Sequence, residues 1–236
     1  MNNSLKRNEM PTLDPNIRNI TNYMDPLISY TYEPGSTMKI YTYMATMENS
    51  EYVGSKTYKS GTKKVDDATI KDFNGKGWGV ITYDTGFANS SNVAATTLAL
   101  SVGREKLYNY YSSLGFGKKT GITLPNEGRG DIDFTYKTEV ATASFGQGIT
   151  TTPIQNLQAL TILTNDGVEI QPYIIEKIVD SNTGKIIKQN KQKRKRDTRM
   201  GISFSWRSRR DSNSRAGYPT YALSRGASSP LEYYSK

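Results

Sequence analysis

Directly after the helix breaker Glu33-Pro34-Gly35, apolar residues crowd one short stretch: Met38, Ile40, Tyr41, Met44, Ala45 and Met47. Their spacing predicts a helix running to about Glu48, apolar on most of its faces rather than along one stripe. Such a helix is stable in water only when other elements surround it, so it is expected at the centre of the fold. Whatever this chain folds into has to be built around that segment.

The chain has 236 residues, enough for one medium domain or two small ones, and the first 190 suffice to bury a real core. Before the central helix, residues 1–32 read as extended and turn-rich, broken by Pro11, Pro15 and Asp25-Pro26. Residues 51–85 suggest short strands and loops around Tyr58, Val65, Ile70 and Phe73, with Trp78 to Tyr83 extended or early helical. A second helix is expected after Ser90-Ser91-Asn92, capped by Asn92 or Ser90. A third should run from Arg104 to Leu114, where Leu107, Tyr110, Tyr111 and Leu114 share one face. Thr151 or Thr152, followed by Pro153, starts a helix carried by Ile154, Leu157, Leu160, Ile162 and Leu163 to Asn165-Asp166-Gly167. Strands around Asp180-Ser181-Asn182-Thr183-Gly184 then read as a hairpin.

The formal charge of +9 divides unevenly along the chain. Residues 1–190 hold 19 basic and 19 acidic side chains, whereas residues 191–236 hold 12 basic and 3 acidic. The first segment has 15 Lys to 4 Arg and the second 4 Lys to 8 Arg, so the basic preference reverses at the same place. A body over 1–190 and a basic Arg/Ser-rich tail over 191–236 are therefore expected, the tail disordered or not native to the fold, as after a frameshift or gene truncation. A basic-tail nucleic-acid binder would use Lys191 to Arg196, but a neutral body and the lack of a reader fold argue against it. No apolar run reaches the length of a membrane span, and Met1 to Arg7 is not followed by the apolar stretch of a signal peptide.

The chain contains no His and no Cys. That excludes a Ser-His-Asp triad, a thiolate nucleophile and His- or Cys-ligated metal, and no cofactor is expected. Acid–base work falls to Lys, Tyr, Asp or Glu, and nucleophilic work to Ser, Thr, Lys or a carboxylate. Ser36 and Lys39 lie at i and i+3 where the apolar helix starts, so both project from one face. Burial disfavours the lysine's charged form and lowers its pKa toward that of a general base. A bare S-x-x-K is as easily a helix cap with a solvent lysine. Ser90-Ser91-Asn92 adds an S-x-N turn 54 residues on, whose hydroxyl can relay a proton and whose amide can hold the lysine or a substrate carbonyl.

Together these segments resemble the transpeptidase domain of the monofunctional penicillin-binding proteins, within the serine acyl-transferase family that includes β-lactamases. The likeness extends to Pro11 to Asn16, Arg18-Asn19, Leu114 to Gly117, Thr120 to Ile122, Leu124-Pro125, Glu127, Ser144 to Gly148 and Thr152 to Gln155, all in the expected order. It covers roughly residues 11–190. The resemblance implies an α/β (α+β) fold with a central antiparallel sheet and a helical subdomain, incomplete at its C-terminal strands. It implies Ser36 as nucleophile, Lys39 as its base, Ser90 as proton relay and Asn92 as positioning amide, with peptidoglycan stem peptides and β-lactams as partners. The family's usual membrane anchor and extracytoplasmic pedestal are not found in this sequence, so its location is left open.

Lys119-Thr120-Gly121 spells the family's third motif but stands before Leu124-Pro125, where relatives have structural connection. Residues 191–236 contain neither Lys-Thr-Gly nor Lys-Ser-Gly. The expectation is a truncated, weakly active or inactive serine-type D-Ala-D-Ala transpeptidase or carboxypeptidase, or a catalytically silent interaction protein of the same fold.

Overall fold

Asp25 accepts a hydrogen bond from the Leu27 amide and Pro26 fills the first position of a short helix, α1 (Pro26–Ser29). The computed structural model describes residues 24–165 and 167–190, together with the backbone of 194–196. Of the extended, turn-rich stretch expected over 1–32, residues 1–23 lie outside the described residues, as does most of the basic segment; the described part departs from the expectation at α1, where Asp25-Pro26 starts a helical turn instead of breaking one. A 3-10 turn at Gly35–Thr37 then runs straight into α2 (Met38–Glu48).

The burial of α2 is what its sequence requires. Met38, Tyr41, Met44 and Ala45 enter one apolar cluster with Leu107, Tyr111, Phe116, Phe134 and Ile162. Tyr43 and Met47, on another face, enter a second cluster with Tyr58, Tyr83, Val93 and Leu98. The helix therefore separates two halves of the core, and burying each large side chain contributes roughly 1.5–3 kcal/mol. Edge-on ring contacts add direction, as between Tyr41 and Phe116 at 4.9 Å.

Around this axis lie α3 (Tyr83–Ala88), α4 (Asn92–Val102), α5 (Arg104–Ser113), α6 (Lys137–Ala143) and α7 (Pro153–Thr164). Gly103, at φ 86°, turns the chain between α4 and α5. The Leu107, Tyr110, Tyr111 and Leu114 face is buried as its spacing predicts. α6 has no counterpart in the sequence reading: it is short, and Glu139 secures it by accepting from the amides of Thr135 and Tyr136. On α7, Thr152 is the cap and Gln155 closes the reciprocal box. Its predicted apolar face is only partly right. Leu157 and Leu160 are exposed, while Gln155 and Gln158 are buried beside Ala159 and Ile162. Gln155 is tolerated inside because its amide donates to the carbonyls of Lys118 and Arg129.

The described strands form four antiparallel pairs: β1 (Thr57–Lys59) with β4 (Val80–Thr82), β2 (Thr62–Val65) with β3 (Ala68–Lys71), β5 (Val168–Ile170) with β8 (Arg194–Arg196), and β6 (Lys177–Val179) with β7 (Ile186–Gln189). The fold is thus α+β. The single central sheet of the expectation is represented among the described residues only by these pairs. The β6–β7 hairpin forms where its turn signal lies, with Asp180 accepting from the amides of Asn182 and Thr183. β8 belongs to the basic segment, and its backbone pairs with β5.

Candidate active site

Ser36 stands exposed on the 3-10 turn, and Lys39 lies one turn further on, in the first turn of α2, only 3% exposed. The apolar character of α2 draws the lysine stem inward, and the ammonium then needs acceptors. It donates to Ser36 Oγ at 3.0 Å, to Ser90 Oγ at 2.9 Å and to the Ser90 carbonyl at 2.5 Å. Burial pulls the Lys39 pKa down from 10.5 to about 8, against the attraction of Asp72, which raises it. About a tenth of the molecules then carry the free amine at pH 7. The lysine is held in hydrogen-bond reach of the hydroxyl it would deprotonate.

Ser90 reaches Lys39 from a left-handed backbone, at φ 54°. That conformation costs a residue with a Cβ about 1–3 kcal/mol, so its neighbours must hold it. Ser91, not Ser90 or Asn92, is the N-cap of α4: its hydroxyl accepts from the Ala94 amide at 3.0 Å and donates to Asp72 Oδ1 at 2.8 Å. The sequence shows three good capping residues in a row and no sign of which one turns inward. Asn92 opens α4, and its amide donates to the Lys71 carbonyl at 2.9 Å. The structure therefore brings Ser36, Lys39 and Ser90 into direct contact, and turns the Asn92 amide toward the last residue of β3 instead.

A second loop buttresses the turn that carries Ser36. The Gly35 amide donates to the Gly146 carbonyl at 3.0 Å, the Gly148 amide to Glu33 Oε1 at 2.8 Å, and Thr42 Oγ1 to the Ser144 carbonyl at 2.7 Å. Gly146 has φ 79°, and a Cβ there would stand 2.2 Å from the Gly35 carbonyl oxygen and 2.5 Å from its nitrogen. Only glycine allows that approach.

Two tripeptides that spell a third motif are held in other roles. At Lys119-Thr120-Gly121, Glu127 accepts from the Thr120 amide and hydroxyl and from the Gly121 amide, and Gln171 donates to the Gly121 carbonyl. This fits the expected structural connection. Lys59-Ser60-Gly61 has the same form; there Ser60 Oγ bridges Trp78 and Gly79, and the Gly61 amide donates to Asp72 Oδ2. Asp72 itself escaped the sequence reading, since one carboxylate in a loop after a strand carries no pattern. Among the described residues no cluster of His, Cys, Asp or Glu is placed to hold a metal ion, and no helix is long and apolar enough to cross a membrane.

Comparison with known proteins identifies the family. The family profile "Penicillin binding protein transpeptidase domain" matches residues 2–205. Stage V sporulation protein D of Bacillus subtilis is 38% identical over 164 residues, covering 67% of this chain and 25% of that protein. The probable peptidoglycan D,D-transpeptidase PenA of Neisseria flavescens is 28% identical over 200 residues, covering 82% of this chain and 49% of its own length. This chain thus spans half or less of each of these relatives. The crystal structure of penicillin-binding protein 3 of Mycobacterium tuberculosis complexed with aztreonam superposes with a TM-score of 0.66 at 28% identity, covering 73% of this chain and 39% of that one. With a buried lysine between two serines and a profile match over most of its length, the chain belongs to the penicillin-binding protein transpeptidase domain family.

Proposed function

We propose that this chain carries the acylation centre of a peptidoglycan D,D-transpeptidase. The observation that carries the reading is the buried Lys39 nitrogen, bonded at once to the exposed Ser36 hydroxyl and to the Ser90 hydroxyl. In the neutral form, Lys39 takes the Ser36 proton as Ser36 Oγ bonds to the carbonyl carbon between two terminal D-alanines of a stem peptide. The C–N bond then breaks. The leaving amine receives the proton of the Ser90 hydroxyl, which is replenished from the Lys39 ammonium. An amine of a neighbouring stem then bonds to the acyl carbon as the bond to Ser36 Oγ breaks, and its surplus proton passes through the neutral Lys39 to Ser36 Oγ, which completes the cross-link and restores both groups. Asn92 positions the substrate at the edge of this site, and β-lactams acylate Ser36 because their strained amide mimics the scissile bond. Such a substrate places the reaction on the outer side of the cytoplasmic membrane.

Full turnover needs an oxyanion donor that neither third-motif tripeptide among the described residues provides. Lys119-Thr120-Gly121 and Lys59-Ser60-Gly61 are committed to loop contacts, with the Gly121 and Gly61 amides taken by Glu127 and Asp72, so neither is free to donate to an oxyanion formed at Ser36. Lack of one such donor costs on the order of 10²–10³ in rate. Fluorescent penicillin tests the reading: slow covalent labelling that vanishes in Ser36→Ala supports it. A cooperatively folded chain that takes no label under prolonged exposure would sink it in favour of a silent protein of the same fold.

A further inference from the structure

The carboxylate of Asp72 is 2% exposed and accepts three hydrogen bonds, all from the ground beneath the S-x-N turn. Its Oδ1 takes the Ser91 hydroxyl at 2.8 Å and the Val93 amide at 3.0 Å, and its Oδ2 takes the Gly61 amide at 2.7 Å. Of the orphan amides in the first turn of α4, the second, at Val93, is thereby taken by Asp72 and the third, at Ala94, by Ser91. Ser91 follows Ser90 directly, and Ser90 is the residue held at positive φ with both its oxygens on Lys39. We propose that Asp72 is a positioning residue of the acylation centre: through Ser91 and Val93 it clamps Ser90 in its left-handed conformation, and so keeps the Ser90 hydroxyl and carbonyl on the Lys39 nitrogen. The proposal deepens the transpeptidase reading and rests on it for its catalytic meaning.

Two physical arguments support more than a cap. A left-handed serine reverts to ordinary backbone unless something over-determines it, and a buried, triply bonded carboxylate does so more firmly than a lone hydroxyl. Asp72 is also the charge that acts on Lys39, opposing its desolvation. α4 and residues 144–148, which pack on α2 and its entry turn, carry no acidic or basic side chain to share that role; Glu33 is turned to the Gly148 amide, and Lys71 at the end of β3 has the wrong sign. Loss of Asp72 thus removes both an attraction and the two Ser90 acceptors that favour the ammonium.

The test titrates Lys39 directly, in full-length chains carrying 13Cε-labelled lysine, and measures penicillin acylation alongside. In Asp72→Asn the Lys39 midpoint is expected to fall by about half a pH unit or more, with acylation reduced about tenfold to a hundredfold. Asp72→Glu, which keeps the charge but not the reach, should not restore acylation. Ser91→Ala keeps the carboxylate in place and should lower acylation with a smaller fall in the midpoint; it decides the matter if Asp72→Asn does not fold. A midpoint that stays put or rises toward 10.5 in the folded variants overturns the proposal, since a cap that merely loosened would let water reach Lys39. Unaltered acylation and midpoint in Ser91→Ala would equally overturn it. A wild-type chain that takes no penicillin sinks the transpeptidase reading, while the Lys39 titration still decides the role of Asp72.

Discussion

Helices α2 and α4 and strands β6 and β7 have similar apolar fractions, 14 of 22 residues against 4 of 7, and put them to opposite use. Along α2, nine of eleven residues are buried, two of them threonines and one the lysine. Along β6 and β7 every residue is exposed, Ile187 by 67%. In the first region, packing on several faces fixes a polar group, Lys39, where its charge is disfavoured. In the second, a local turn held by Asp180 fixes the backbone and no polar side chain of either strand is buried. Functional geometry here follows from enclosure, not from apolar content.

That contrast is most severely tested at Lys39. Lys39→Met is expected to lower acylation by about 10²–10⁴-fold while leaving the melting temperature at pH 7 unchanged or higher, because a buried charge is removed. A melting temperature several degrees lower would show that the lysine is a structural tie instead. Gly146→Ala should come next. Its methyl group would press on the Gly35 backbone, so a loss of about 1–3 kcal/mol in urea unfolding and a fall in acylation are expected together. Unchanged values for both would mean the loop is free of the nucleophile.

A smaller effect is the pH dependence of stability. Lys39 titrates near 8 when folded and near 10.5 when unfolded, so between these values the unfolded chain binds more protons and stability rises with pH. Tyr41, Tyr43 and Tyr111 have folded values raised above 10 by burial, so above about 10 they work in the opposite direction. Urea midpoints from about pH 7 to about pH 11 should therefore pass through a maximum that Lys39→Met flattens on its low-pH side. The least effect belongs to the hairpin: Ile187→Thr should change stability by less than about 0.5 kcal/mol and leave acylation untouched. A large loss there would erase the distinction between the two regions.

Much of this was legible in the sequence, for identifiable reasons. α2 announced itself because a helix apolar on most faces admits one environment, and Ser36 and Lys39 follow from their spacing at its start. The α5 face was equally plain in Leu107, Tyr110, Tyr111 and Leu114. The cap of α4 was misplaced because Ser90, Ser91 and Asn92 are chemically equivalent candidates, and Asp72, which selects among them, lies outside the helix altogether. On α7 the apolar residues misled. Gln155 goes inside because two distant carbonyls await it, a fact of tertiary structure that no periodicity carries. Gly146 is similar: its need to be glycine arises from Gly35, more than a hundred residues away.

The central claim is that Ser36 is activated by a lysine whose pKa is lowered by enclosure. The rate of penicillin acylation as a function of pH tests it most directly. The account predicts a rate that climbs through a midpoint at about 8, localises to Ser36, and collapses in Lys39→Arg, whose guanidinium does not give up its proton. A rate that is flat from about pH 6 to about pH 9, or a label that survives Ser36→Ala, would contradict it.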